Sequence, residues 1–117
     1  MTDETSPPLP AVDLPTIHEA VFEPGLSGAV LHGAKLELSD AIARRLAGED
    51  VVVCGSQTAA NRRLAFQVEN AVGSASRPQW PHTRAGPLAL PHYHQKSRTP
   101  KGHTFYETDK RTSKRKP

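Results

Sequence analysis

The feature that most constrains this chain is a four-residue run, Val51-Val52-Val53-Cys54, set between two helical patterns. Three β-branched residues in succession, without polar alternation, suit a strand covered on both faces. Upstream, Leu38, Ile42 and Leu46 recur at four-residue spacing and Gly48 supplies a stop. That pattern predicts a short amphipathic helix over 39–47, with Ser39 as N-cap and Asp40 at the positive end of the dipole. Downstream, Ala60, Leu64, Val68 and Val72, widened by Ala65 and Ala71, predict a helix over 58–72, capped by Thr58 and closed by Gly73. Helix, buried strand, helix is the scaffold. It is too small to be a whole core, so residues beyond 80 must complete the sheet.

Two later segments suit that task. Leu88-Ala89-Leu90 is apolar and ends at Pro91, and residues 103–108 alternate as HTFYET with strong β-formers. Alternation sets Phe105 on one face and Thr104 and Tyr106 on the other; with Phe105 against the second helix, Tyr106 looks out from the open face. Ahead of the scaffold, IHEAVF reads as a turn of helix stopped by Pro24-Gly25, and residues 28–38 as strand or loop. The expected fold is α+β: two short helices packed on a small, mainly antiparallel sheet of three or four strands, with disordered margins. The expected organisation is a disordered or extended acidic, proline-rich lead over 1–25, the α+β domain over 26–109, and a basic tail over 110–117.

Totals narrow the function classes. With 117 residues and 36% hydrophobic content the chain holds one small domain at most. No apolar run approaches the roughly 18 residues a membrane span needs, and MTDETSPPLP lacks the basic start and apolar segment of a secretory signal. Cys54 is the only cysteine, which excludes an internal disulfide and fits a reducing compartment. Charge is divided unevenly: residues 1–50 hold nine acids and three bases, residues 51–117 three acids and twelve bases. Net charges of −6 and +9 point to a C-terminal half that binds a polyanion.

Residues 80–107 concentrate the chemistry. They hold His82, His92, His94 and His103, four of the six histidines, with Arg84, Lys96, Arg98 and Lys101 between them. Imidazoles at this density suggest a metal, since His92, His94 and either His82 or His103 offer three ligands. The cations around them and the lack of acids to orient metal-bound rings argue against it. Metal-free RNA cleavage fits better. RNA carries its own 2′-OH nucleophile, so a protein need supply only a base, an acid and a cation for the phosphate. His82, His92 and His103 are suited to proton transfer, Arg98 and Lys101 to charge, and Tyr93 and Tyr106 to stacking on bases. His94 and His32 rank lower, and Cys54 reads as inert core.

The order VVVCG, TAANRRLAFQVENAVG, HTRAGPLALPHYHQ and GHTFYE resembles the C-terminal toxin domains of bacterial polymorphic toxins, which end secreted RHS-repeat or contact-dependent proteins. Many such toxins are similar to small ribonucleases with a helix-plus-antiparallel-sheet fold and paired catalytic histidines. The resemblance implies a metal-independent endoribonuclease needing no cofactor, with His92 and His103 as the first catalytic pair and His82 as a third. By their chemistry Arg98, Lys101, Tyr106 and Arg62 are the expected substrate contacts, with RNA as substrate; the resemblance adds an acidic immunity protein as partner. Synthesis in the cytoplasm and delivery into a target cell follow from the same likeness. Two other classes stay open: a non-catalytic nucleic-acid-binding protein and a metal-dependent nuclease.

Overall fold

Val51, Val52 and Val53 have no exposed surface, and the sheet extends from them in both directions. The computed structural model describes residues 14–23, 27–81 and 86–117. In chain order the elements are β1 (Thr16–Phe22), β2 (Val30–Leu36), α1 (Leu38–Leu46), β3 (Val51–Cys54), α2 (Thr58–Val72), β4 (His92–Tyr93), β5 (Thr104–Tyr106) and β6 (Lys114–Arg115). The strands form one sheet in the order β4-β5-β3-β1-β2-β6. β1 runs antiparallel to β2 and β3, and β4 to β5, whereas β3–β5 and β2–β6 are parallel. This is an α+β architecture of two helices on a mainly antiparallel sheet. No helix among the described residues is long and apolar enough to cross a membrane.

The valine run is covered differently on its two sides. Val51 and Val53 pack with Ile17, Tyr93 and Tyr106 against Ala41 of α1 and Ala65 and Val68 of α2. Val52 faces the other way, with Ala20, Val30 and Phe105, beneath Leu90 from the loop before β4. Phe22 closes over Phe105 with ring centroids 5.3 Å apart. Full burial of a valine stabilises a fold by about 1.5–3 kcal/mol, so these three residues anchor both layers.

The helix-facing layer also encloses a charged knot. Arg45 of α1 and Glu69 of α2 have no exposed surface. Arg45 Nε and Nη2 donate to the Glu69 carboxylate at 2.5 and 3.2 Å, Thr104 Oγ1 donates to it at 2.5 Å, and Gln95 Nε2 at 2.8 Å. A buried carboxylate is tolerated only with such partners.

The structure departs from the sequence reading in several places. β1 lies within 16–22, inside the stretch assigned to the lead, and IHEAVF is strand instead of helix. Ile17 is buried on the helix side and Ala20 on the reverse side, a parity that a strand permits. The remaining lead, 1–13 and 24–25, lies outside the described residues. The basic tail contributes β6, with Leu31↔Lys114 and His32↔Arg115 as partners. Leu88-Ala89-Leu90 forms no strand; β4 starts after Pro91. α1 begins at Leu38 behind Glu37, and α2 behind Gln57, neither with a side-chain cap. Thr58 Oγ1 instead accepts from the Asp109 amide. Phe105 and Tyr106 exchange the faces expected of them: Tyr106 packs with Tyr93 against Ala65 and Val68 of α2, while Phe105 pairs with Phe22 on the reverse face.

Candidate functional site

Three histidines meet at the β4–β5 edge, on the face without helices. The register pairs His92 with Phe105, so His92 shares that face with His103, two residues before Phe105. The His92 and His103 rings are edge to face with centroids 4.8 Å apart, and the His94 ring lies 6.3 Å from that of His92. The expected approach of His92 and His103 is thus present. Phe105 backs both, at 5.6 and 5.3 Å.

The rings differ in setting. His92 is 2% exposed and His94 8%, whereas the His103 side chain keeps 32% of its surface. His94 Nδ1 lies 2.7 Å from the Gln95 carbonyl oxygen, which can only accept, so Nδ1 carries the proton and Nε2 is the basic nitrogen of the neutral ring. His103 is held by Asp50: the carboxylate accepts the His103 amide at 2.8 Å and lies 3.5 Å from its Nδ1, without hydrogen-bond geometry to the ring. Sequence spacing does not reveal this acid beside the imidazole, because Asp50 sits over 50 residues upstream.

A cavity of about 370 Å³ opens beside these rings, lined by His94, His103, Arg98, Lys101, Pro100 and Gly102. Arg98 and Lys101 thus line one cavity with His103, and His94 joins them. The loop carrying the cations is fixed at both ends by the charged knot. Gln95 bonds Glu69 at one end, and Arg45 Nη1 donates to the Lys101 carbonyl at 2.8 Å at the other.

Two proposed substrate contacts lie elsewhere. Tyr106 is buried on the helix side, across the sheet from the histidines, and with Arg62 lines a different cavity of about 590 Å³ beside the exposed Trp80. Placement of Tyr106 over a substrate held by His103 is therefore overturned by strand parity. Burial pushes the Tyr93 and Tyr106 phenols up from their ordinary value, with Arg62 opposing. His82 lies outside the described residues.

A second constellation sits further along the same face. The ligand atoms of His32, Cys54 and Glu107 lie within 4.8 Å of one another. Each approaches the Ser113 hydroxyl: His32 Nδ1 at 2.7 Å, a Glu107 oxygen at 2.7 Å and Cys54 Sγ at 3.4 Å. Glu107 also accepts the Gly55 and Ser113 amides, and His18 packs edge-on against His32 at 5.1 Å. Burial raises the Cys54 thiol to about 12 and, with His18 beside it, lowers His32. The register shift opposite His18 and Ala20 puts two β2 residues against one of β1, which brings His32 onto the face of His18. Spacing alone does not reveal such a bulge.

Comparison of the chain with protein-family models, with curated proteins and with solved structures gives no match.

Proposed function

We propose that this chain is an endoribonuclease of the polymorphic-toxin type that cleaves RNA by histidine acid–base catalysis without a metal. The supporting observation is the single cavity that gathers His94 and His103 with Arg98 and Lys101. His94 presents its basic Nε2 and removes the proton of the 2′-OH. His103 protonates the departing 5′-oxygen, and Asp50 compensates the imidazolium before it gives up its proton. Arg98 and Lys101 meet the charge that grows on the phosphate. His92 lies edge to face against His103 and 6.3 Å from His94, and it positions them from behind. The products are a 2′,3′-cyclic phosphate and a 5′-hydroxyl. An acidic immunity protein over Arg98 and Lys101 would block the cavity.

The test is purified protein with RNA and with DNA, each in excess EDTA. RNA alone should be cut, and His94→Ala or His103→Ala should each lower the rate by about 10²–10⁴. His92→Phe, which keeps a ring in place, should retain far more activity than His92→Ala. Intact RNA under every condition, with salt-sensitive binding, would establish the non-catalytic alternative. Cleavage abolished by EDTA and restored by a divalent ion would establish the metal-dependent one.

A further inference from the structure

We propose that His32, Cys54 and Glu107 are the ligands of a divalent metal site of the zinc class, whose centre the Ser113 hydroxyl occupies in this structure. The three side chains come from different parts of the sheet: β2, the end of β3, and the residue after β5. They nevertheless converge on one oxygen, at 2.7, 3.4 and 2.7 Å. Zinc binds imidazole nitrogen and carboxylate oxygen near 2.1 Å and thiolate near 2.3 Å. Each donor therefore moves inward by about 0.6–1.1 Å to reach an ion at that centre, and side-chain rotation covers such a distance.

The donor set fits borderline-soft ions in particular. A thiolate and an imidazole select zinc or cobalt over magnesium or calcium, which prefer oxygen alone. One carboxylate and one thiolate neutralise a dication, and the thiol proton leaves to solvent on binding. The outer partners are already placed. The Gly55 amide at 3.1 Å holds one Glu107 oxygen. Ser113 carries a neutral hydroxyl and is the group that side-chain rotation must clear from the centre, since the other three converge on it. Once rotated off the centre, its hydroxyl becomes the fourth ligand or leaves that position to water.

The site is distinct from the proposed catalytic cavity, since Glu107 lies four residues beyond His103, about 13 Å along an extended chain. It would tie the segment entering β6 to the sheet.

The experiment is a titration of the full chain with Co²⁺, followed by absorption, with Zn²⁺ in competition. One equivalent should bind and give a thiolate-to-cobalt charge-transfer band that zinc removes. Cys54→Ser should abolish the band, and His32→Ala should weaken binding by more than about tenfold. Ser113→Ala should leave stoichiometry and band intact. Absence of binding, or cobalt bound without the thiolate band, overturns the proposal in the unaltered protein, whatever the variants do. So does binding lost in His94→Ala but kept in His32→Ala, which would move the ion to the other histidine cluster. RNA cleavage plays no part in the readout, so the two readings fail separately.

Discussion

Replacing Glu69 by glutamine removes one charge from the buried knot and almost no volume. Arg45 then keeps its burial and its backbone acceptors, Glu49 O at 3.1 Å and Lys101 O at 2.8 Å, but loses its counter-ion. Thr104 and Gln95 lose a charged acceptor in the same step. Breaking one side of a buried ion pair costs about 3–5 kcal/mol. Single domains have only about 5–15 kcal/mol in total, so Glu69→Gln should remove about a fifth of the stability or more. At about 4 °C per kcal/mol for a chain of this size, the midpoint should fall by about 12–20 °C. Urea and thermal unfolding of the wild type and variant measure it. The exposed pair Arg44–Glu49, at 3.1 Å, is the internal standard, and Glu49→Gln should cost at most about 1 kcal/mol. The double variant Arg45→Met, Glu69→Leu should recover only part of the loss, because the charge desolvation disappears while Thr104 Oγ1, Gln95 Nε2 and the Lys101 carbonyl lose a partner. Equal costs for Glu69→Gln and Glu49→Gln would refute the reasoning.

Three other outcomes follow from the same geometry. Gly102 has φ +101°, and a Cβ there would stand 2.7 Å from Arg45 Nη1 and 3.0 Å from Asp50 Oδ1; Gly102→Ala should cost about 2 kcal/mol or more by urea unfolding. Gly48→Ala should cost less, since at φ +83° its added carbon first meets the flexible Lys101 side chain. Tyr93 and Tyr106 are the only tyrosines, and both phenols are raised in the folded chain while the unfolded chain ionises near the ordinary value of 10.0. The unfolded state therefore loses protons first, so this contribution is intact below about pH 10 and declines above it. Phenolate absorbance should rise together with loss of circular dichroism, and a titration midpoint of 10.0 in folded protein would contradict it. Joint replacement of Arg98 and Lys101 by alanine should flatten the log–log salt dependence of single-stranded RNA binding by about 1.4, read by fluorescence anisotropy. An unchanged slope would remove them from the phosphate path.

The legible parts of the sequence were those with local periodicity. Leu64, Val68 and Val72 repeat every four residues, so α2 is visible; the valine run needs cover on both faces, so β3 is visible too. His92 and His103 flank a strand pair, and their meeting follows from two strands lying side by side. Illegible features depended on distance in the chain or on a choice between equivalent alternatives. β1 lies between Pro15 and Pro24 and declares itself only against β2 and β3. Strand parity separates Phe105 from Tyr106 but does not say which one faces the helices. Glu69, Arg45 and Asp50 look like solvated charges until residues 95–104 are folded over them. His32 and Cys54 gain a meaning from a β-bulge and from a serine 59 residues beyond the cysteine.

The strand order also bears on how copies of this chain treat one another. Both outermost strands, β4 and β6, are only two residues long. Residues 75–79 already bond to the outer side of β4, where the Gln79 amide reaches the His92 carbonyl at 2.8 Å and the Ser76 amide that of His94 at 2.8 Å. The opposite rim ends in exposed Lys114 and Arg115. A sheet bordered by a filled rim and a short cationic one offers little template for a neighbouring strand. The same basic residues that read as a tail therefore act as a guard against edge-to-edge aggregation, and a chain truncated after residue 112 would lose that guard.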